Sequence, residues 1–478
     1  MGKKPHVVIL GGGPASLAAA YQLTKKKLAS VTVIEQENDV GGIAGSFNIC
    51  GINVDYGSHR LHPACDPEIL RDLQVLLGDE LMQRPRNGRI RLCNRWIHFP
   101  LKPFDLAFGL PLSFSFGTAL DLARKSLGFT RHSSDTESFA SVLEEGLGRT
   151  ICREFYFPYV QKIWGLAPED ISATQARRRV SANSPLKMLK KVLASVPGLK
   201  PSGSGFFFYP KRGFGLISEK LYNAAKNAGV DFSLGSRITS LHLKGSTVEE
   251  ISCFSSNGRT VVYKPDYVWS TIPITDLVNL IRPAPPSSVV EASQYMDYRA
   301  MILVYLVLYT NQFTEYDAHY FPESDIPISR ISEPKNYSKA EAPGNVTVLC
   351  AELPCSTSDS VWEMTSLELG KLVCECLEMA SMPVNTLLKE VITKRFSHAY
   401  PIYRRNYNIH FDKIDRWLNG VGNLVCFGRQ ALFAHDNIHH ALYMAYAAVD
   451  CLGEDGEFDR DKWQNHYRKI FETHVVED

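Results

Sequence analysis

The sequence lacks net charge, long apolar runs and any cysteine framework. Its 52 Lys and Arg stand against 51 Asp and Glu, a formal charge of +1. That argues against a nucleic-acid role built on bulk positive charge. No uninterrupted apolar stretch reaches the ~18 residues a bilayer span needs. The 11 cysteines are odd in number and scattered. The one close pair, Cys374 and Cys376, lies two residues apart in a helical pattern, where side chains diverge. Reduced thiols in a cytoplasmic protein are the expectation, and a disulfide scaffold is not. Internal repeats and low-complexity tracts are absent. The N-terminus, GKKP, runs straight into a strand pattern without signal-peptide character.

What is present is an ordinary globular composition, 45% hydrophobic and 22% charged over 478 residues. That length suggests about three domains. The organising stretch is Val7 to Glu35, which reads as strand, glycine turn, helix and strand. Gly11, Gly12 and Gly13 follow the apolar run Val7 to Leu10. Ala15 to Leu23 is a good helix former with small residues on its inner face. Val31 to Ile34 is a second strand, and Glu35 closes it. This is the layout of a dinucleotide site: glycines that let the backbone approach a pyrophosphate, a helix N-terminus with free N–H groups, and an acid placed for a ribose. Ser16 stands at the third glycine position of the fingerprint and is small enough for helix–strand packing. The structural alternative is a βαβ unit with no ligand.

The next segment contains the double glycine Gly41-Gly42, a strand pattern from Ile49 to Asp55 and the turn Tyr56-Gly57-Ser58-His59. Pro67 to Leu77 reads as a short helix. GGGPASLAAA, Glu35 and VGGIAGS together resemble the FAD-binding opening of the flavin amine oxidase and protoporphyrinogen oxidase-like superfamily. DYGSHRLHP followed by GRIRLCNRWIHFPLKP is similar to its UDP-galactopyranose mutase-like branch. The resemblance implies FAD as the bound dinucleotide. It assigns cofactor contacts to Gly11, Gly13, Pro14, Ala15, Ser16, Glu35, Gln36, Gly42, Ile43, Ala44, Tyr56, Gly57, Ser58 and His59.

Phe104 to about Gly128 is apolar and helical in character. A core segment of a cap domain is the expectation for Leu106 to Phe116, with a membrane-dipping helix as the alternative. Ser138 to Gly148 reads as another helix. Trp164-Gly165, Pro168-Glu169-Asp170 and the arginine run after them resemble the helical domain that lies over the flavin in the mutase-like branch. Residues 177–200 carry seven Lys and Arg and no acid. They are either a solvated helix face or a surface for an anionic substrate or membrane. The branch pattern has two arginines four apart here. Arg179 matches the first, and Asn183 replaces the second, which grips the substrate diphosphate. The resemblance offers Trp164 and Arg179 as substrate contacts.

Tyr209-Pro210 with Gly213 resembles the superfamily's return to the cofactor domain. Val230 to Leu234 reads as a strand there, and Ile238 matches the segment that meets the adenine. Asp266 to Pro273 is a buried strand ending in a Thr-Ile-Pro turn that places Thr271 beside the cofactor. After the prolines of 283–286, Ala300 to Tyr309 and Asn345 to Cys350 open a second sheet. Arg330 resembles the branch's arginine that reaches diphosphate and flavin, with an exposed structural arginine as the alternative. In FSHAYPIYRRNY, Tyr400 and Tyr403 match aromatics opposite the flavin, or are packed tyrosines at a sheet end. Leu424 to Phe427, Gly428-Arg429 and a helix opened by Asn437 and Ile438 resemble the superfamily's closing motif. Gly428 would admit the pyrophosphate, and Arg429 would offset its charge. His439 and His440 are adjacent on a helix, so no zinc or other metal site is expected.

The expected fold is α/β. A discontinuous Rossmann-like FAD-binding domain takes 1–95, 205–290 and 415–478. A helical insert takes 96–204, and a mixed-sheet substrate domain takes 291–414. Three functions compete. The first is an FAD-dependent oxidoreductase passing hydride between a small-molecule substrate and the flavin, with His59, Arg330, Tyr400 and Tyr403 near the ring. The second is a mutase-like nucleotide-sugar isomerase that uses reduced FAD, with Arg330 and Tyr403 on the substrate. The third is a non-catalytic flavoprotein. The oxidoreductase ranks first.

Overall fold

The structure is a computed structural model that describes residues 4–100, 105, 109–127, 137–179, 205–338 and 340–474. Its first elements follow from the glycine-broken apolar runs: strand His6–Leu10, helix Pro14–Lys25 and strand Ser30–Ile34. Alternate residues of the first strand enter different cores. Val7 and Ile9 pack with Ala15, Ala18 and Leu442, while Val8 and Leu10 pack with Leu241, Leu277 and Phe411. A strand buried on both faces belongs in a parallel sheet covered on both sides. That sheet has five parallel strands, in the order Leu424–Cys426, Tyr267–Ser270, His6–Leu10, Ser30–Ile34 and Asp231–Ser233. Its strands come from three separated pieces of chain, as the discontinuous Rossmann-like reading requires. A four-stranded sheet (Thr260–Tyr263, Thr247–Ser255, Ser236–Lys244, Ile281–Arg282) covers part of one face.

A seven-stranded mixed sheet forms the second body, in the order Leu388–Pro401, Tyr298–Leu308, Thr347–Cys355, Arg330–Ser332, Ala318–Tyr320, Gly88–Leu92 and Arg95–Phe99. The hairpin Gly88–Phe99 therefore extends this sheet, although residues up to 95 were expected in the first cofactor piece. Pairing with Ala318–Tyr320 decides its place, a contact across more than 200 residues. The expected boundary between residues 414 and 415 falls inside helix Tyr407–Asn419, which put Tyr407 to Ile414 with the substrate domain. The helix instead packs Tyr407, Phe411 and Ile414 beside Val8 and Leu10. The expected strand Ile49–Asp55 is a hairpin, Ser46–Ile49 and Ile52–Asp55, turning at Cys50 and Gly51 with φ of 50° and 83°. Two positive φ values suit a tight hairpin turn, and a cysteine in the first gave no turn signal.

Between these bodies lies the helical insert. Helix Phe139–Leu147 is capped by Ser138, and helix Phe157–Trp164 follows a π-turn at Cys152–Tyr156. The Lys162 ammonium donates to the backbone carbonyls of Phe321, Glu323 and Ile328, bolting this helix to the loop that joins strands Ala318–Tyr320 and Arg330–Ser332 of the seven-stranded sheet. Of the segment Leu106–Phe116, residues 106–108 lie outside the described residues; Leu110 and Phe114 join a small core with Ile90, Leu92 and Ile97, while Leu112 and Phe116, on helix Leu112–Ser126, are exposed. Among the described residues no helix is long and apolar enough to cross a membrane.

Three helices meet on one carboxylate. Asp72, 8% exposed, accepts from Gln22 Nε2 at 2.6 Å, Lys25 Nζ at 2.7 Å and Tyr446 Oη at 2.9 Å. Burial by itself would raise its pKa. The hydrogen bonds from Lys25, Tyr446 and Gln22 outweigh burial and hold it below the ordinary aspartate value. A depressed folded-state pKa stabilises above the unfolded value of about 3.9, and that contribution is lost as pH falls through the folded value. Asp72→Ala is expected to destabilise the protein by about 2–4 kcal/mol at neutral pH. The difference in thermal midpoint from the parent should shrink below about pH 4. An equal difference at every pH would contradict the assignment.

Candidate functional site

The glycine turn is shaped by neighbours that leave no room for side chains. Gly11 has φ +97°, and a Cβ on it would lie 2.8 Å from Thr271 Oγ1. Thr271 donates its hydroxyl to the carbonyl of Leu10 at 2.9 Å. It also lies 2.6 Å from the Ser16 hydroxyl. Ser16 is fully buried, so the serine at the third fingerprint position has a partner that glycine would lack. Gly13 caps the helix Pro14–Lys25, and a Cβ there would meet nothing within 4 Å. That is an open cradle in front of a helix N-terminus with unpaired N–H groups. Gly42 closes over it: its own Cβ would lie 3.4 Å from Gly13 Cα, and the neighbouring Gly41 N–H donates to the Gly12 carbonyl at 2.8 Å. Gly428, from the far end of the chain, approaches Ala15.

Glu35 stands beside this turn. Its carboxylate accepts from the backbone N–H groups of Gly12 and Glu37. Burial raises its pKa, opposed by those hydrogen bonds. The chain around it is fixed by Ser236 N–H on the Glu35 carbonyl at 2.8 Å, which sets the strand carrying half-buried Ile238 alongside. Gln36 is exposed just beyond. A carboxylate held by two N–H groups next to a phosphate cradle is oriented to take ribose hydroxyls.

A small cavity, about 50 Å³, opens at the other end of the site. It is lined by Ile43, Tyr56, His59, Met301, Phe396 and Tyr400, with Gly57, Ser58, Leu303, Arg330, Glu352, Ala399 and Arg429. The turn Tyr56–His59 is held from below by Asp55. This buried carboxylate accepts from Ser46 Oγ and Tyr209 Oη at 2.6 Å and from Phe214 N–H at 2.8 Å. The Tyr209-to-Gly213 return of the chain is thus tied to the turn. His59 Nε2 lies 2.9 Å from both the Ile43 and Tyr56 carbonyls, which assigns the proton to Nε2. Burial lowers its pKa, against the pull of Asp55, so the ring is neutral at pH 7 with Nδ1 as its open acceptor. Its face stacks on Phe214 at 5.4 Å.

Arg330 and Glu352 form the charged centre of the cavity. Arg330 Nε and Nη2 donate to Glu352 Oε1 at 2.9 and 2.7 Å, and Nη2 also reaches Oε2 at 2.8 Å. Ser58 N–H donates to the same carboxylate at 2.8 Å, and Arg330 Nη2 reaches the Ser58 carbonyl at 3.3 Å. Side-chain exposures of 18% and 5% make this a buried pair, stronger than surface pairs are. Tyr320 lies under the guanidinium at 5.5 Å. Arg429 donates to the Ala399 carbonyl at 2.8 Å and sits 5.2 Å from the Tyr400 ring.

The sequence-predicted residues therefore divide. Tyr56, Gly57, Ser58, His59, Ile43, Arg330, Tyr400 and Arg429 converge on one cavity. Gly11, Gly13, Pro14, Ala15, Ser16, Gly42, Ala44, Thr271 and Gly428 gather around the glycine turn. Asn437 opens helix Ile438–Asp450, which packs on the helix of the turn through the shared core. Tyr403 is not brought to the cavity. It is 1% exposed, stacked on Tyr407 at 4.1 Å, and its hydroxyl accepts from Arg178 Nη1 and His435 N–H, both at 3.1 Å. The strand Leu388–Pro401 ends before it, and the chain turns it into the core beneath the parallel sheet. Trp164 likewise packs inside the insert, against Phe139 and His435. Arg179 ends helix Ala173–Arg179; its side chain and Asn183 lie outside the described residues. Asp436, His440 and His474 come close enough for shared ligation, with Nδ1 of His474 2.9 Å from Asp436 Oδ2. His439 and His440, in contrast, sit side by side as expected. Glu352 was missed. Its signal was one acid inside the otherwise apolar strand Thr347–Cys355, a position that demands a buried cation.

The family model for flavin containing amine oxidoreductase matches residues 16–420. No curated protein sequence matches the chain. A solved structure of reduced UDP-galactopyranose mutase is 19% identical, with a TM-score of 0.79 over 97% of this chain and 98% of its own. Cyclohexylamine oxidase from Brevibacterium oxydans IH-35A is 17% identical, with a TM-score of 0.62 over 94% and 99%. A fatty acid isomerase from P. acnes is 13% identical, with a TM-score of 0.63 over the same shares. At such identities the likeness is one of fold, and that fold carries both oxidases and isomerases.

The cradle makes a sharp expectation. Gly13→Ala should fold with an unchanged thermal midpoint when flavin-free, because its Cβ meets no protein atom, yet purify with at least about tenfold weaker flavin binding, read from absorbance near 450 nm. Gly11→Ala should lose both stability and flavin. Full flavin content in Gly13→Ala would remove the pyrophosphate from this turn.

Proposed function

We propose, from the premise that this chain belongs to the flavin containing amine oxidoreductase family, that it is an FAD-dependent oxidoreductase acting on an oxygen-bearing small molecule. FAD is favoured over a mononucleotide because Glu35 is held beside the glycine cradle, where an adenosine ribose would need it. The bound flavin would supply two-electron redox chemistry. The chain's own residues bind, orient and shield.

The observation that carries the substrate class is the Arg330–Glu352 pair. Both carboxylate oxygens of Glu352 already accept from Arg330, and Glu352 is the one acid lining the cavity. An ammonium substrate would find no uncompensated counter-charge, and its desolvation would go unrepaid. Arg330 Nη1 is the guanidinium nitrogen left for a ligand. It favours a carbonyl, carboxylate or phosphate oxygen, with neutral His59 as an acceptor across the cavity. Glu352 acts through Arg330: it fixes the plane of the guanidinium and the Ser58 backbone together. Phe396, Met301 and Leu303 line the same cavity and would exclude water from it once a flavin and substrate are bound.

A second reading, the nucleotide-sugar isomerase, is favoured by that same open guanidinium nitrogen and by the likeness of fold over nearly the full length of both chains to the mutase structure. UDP titration of the holoprotein, oxidised and dithionite-reduced, separates the two. No flavin spectral response in either state, with peroxide produced from an oxygen-bearing substrate in air, supports the oxidoreductase. Saturable UDP binding that tightens on reduction moves the assignment to the isomerase. Glu352→Gln is expected to keep full flavin content and lose at least about tenfold in kcat/KM, or about 1.4 kcal/mol of transition-state binding. An unchanged rate would detach the pair from catalysis.

A further inference from the structure

The cavity wall contains a hydrogen-bond chain that begins outside the cavity. Ser58 Oγ lies 2.5 Å from Tyr337 Oη, and Arg60 Nη2 donates to the same phenol oxygen at 3.3 Å. Ser58 lines the cavity, whereas Tyr337 is 3% exposed and packs in the core of the cofactor body. The phenol ring stacks on Tyr209 at 5.3 Å. The Arg60 guanidinium lies over the rings of Phe207 and Tyr337 at 4.9 and 5.4 Å. Neither Tyr337 nor Arg60 carries any part of the cofactor or substrate pattern read along the chain.

Either hydroxyl of the Ser58–Tyr337 contact can donate. Arg60 decides between them. A guanidinium only donates, so it takes one lone pair of the Tyr337 oxygen. If Ser58 donated to that oxygen too, the phenol proton would have no acceptor among the described residues and would be shut in a core. An unmade buried donor costs more than a typical hydrogen bond contributes. If Tyr337 donates to Ser58, the phenol is satisfied and the unused proton belongs to the serine. That proton then sits in the cavity wall, where a ligand can accept it.

The same serine is fixed through its backbone. Its N–H donates to Glu352 at 2.8 Å, and its carbonyl takes Arg330 Nη2 at 3.3 Å. The hydroxyl and the Arg330 guanidinium are therefore neighbours in one wall. Two arginines, Arg330 and Arg429, and one acid, Glu352, line the cavity, so positive charge is in excess there.

We propose that Ser58 is a substrate-binding residue whose hydroxyl donates, beside Arg330, to one small anionic oxygen group such as a carboxylate. Tyr337 and Arg60 are positioning residues that turn its proton into the cavity. The assignment rests on the reading that the ligand presents oxygen to Arg330, and it adds the charge of that oxygen and a second donor. A group held by a cation and a hydroxyl together is fixed in orientation, which one contact does not achieve.

The test uses the protein with FAD at full occupancy, acetate as the probe and ethylammonium as the control cation, followed by flavin difference absorbance. Acetate should give a saturable change and ethylammonium none. Ser58→Ala keeps both backbone contacts and should weaken acetate at least about tenfold, the loss of a hydrogen bond to a charged group. Ser58→Thr keeps the hydroxyl and should bind acetate more tightly than the alanine variant. Tyr337→Phe should weaken acetate in the parent but have no further effect in Ser58→Ala, because it acts only through the serine proton. An equal loss in both backgrounds would make Tyr337 a merely structural residue and overturn its assignment. Unchanged acetate affinity in Ser58→Ala overturns the proposal and leaves the reading of Arg330 standing. No saturable response to acetate also overturns it, and a saturable response to ethylammonium overturns the reading of Arg330 as well.

Discussion

The structure depends on a close approach of backbones. Where strand His6–Leu10 ends, the segments bearing Gly11–Gly13, Gly41-Gly42, Thr271 and Gly428 converge within van der Waals distance. Only residues without side chains, or with one small hydroxyl, can meet there. Ser16 and Thr271 fill the remaining gap with a single 2.6 Å contact. The convergence brings together segments separated by more than 400 residues. It orders the parallel sheet and leaves an open space in front of the first helix. The rest of the cofactor body is packing that supports this junction: alanines of Pro14–Lys25 against helix Ile438–Asp450, and Asp72 tying both to the helix Pro67–Leu77.

The second constraint is electrostatic. Burying Arg330 beside a cavity is costly unless its charge is met, and Glu352 meets it with three short contacts. Ser58 joins the pair from the first piece of chain, so the glycine-to-histidine turn, the arginine strand and the acid strand move as one unit. Asp55 does the same from below, joining the hairpin Ser46–Asp55 to the returning chain at Tyr209 and Phe214. The cavity is thus framed by two buried carboxylates, neither of which is free to balance a substrate cation. It is lined by the side chains of Arg330 and Arg429, the His59 imidazole and an aromatic wall of Tyr56, Phe396 and Tyr400.

Local sequence determined the glycine turn, its helix, the acid at the second strand end and the helices Pro67–Leu77 and Phe139–Leu147. In each case the signal is a short-range one: Gly-Gly-Gly between apolar runs, Pro67 at a helix start, capping by Ser138. The residues singled out by these motifs gather around one turn, because backbone geometry within a few residues dictates their placement. Three things lay beyond that reach. Glu352 was invisible as a partner because its value comes from Arg330, 22 residues away, and from Ser58, almost 300 away. Tyr403 and Trp164 carry the right residue types but face cores, since the direction of a side chain after a strand end is set by what the next turn packs against. The apolar, helical character of Leu112–Ser126 was legible along the chain; which of its side chains meet the protein was decided only by tertiary contacts, Phe114 joining Ile90, Leu92 and Ile97 while Gly117 and Asp121 dock on Thr150, and no pattern along the chain encodes those partners.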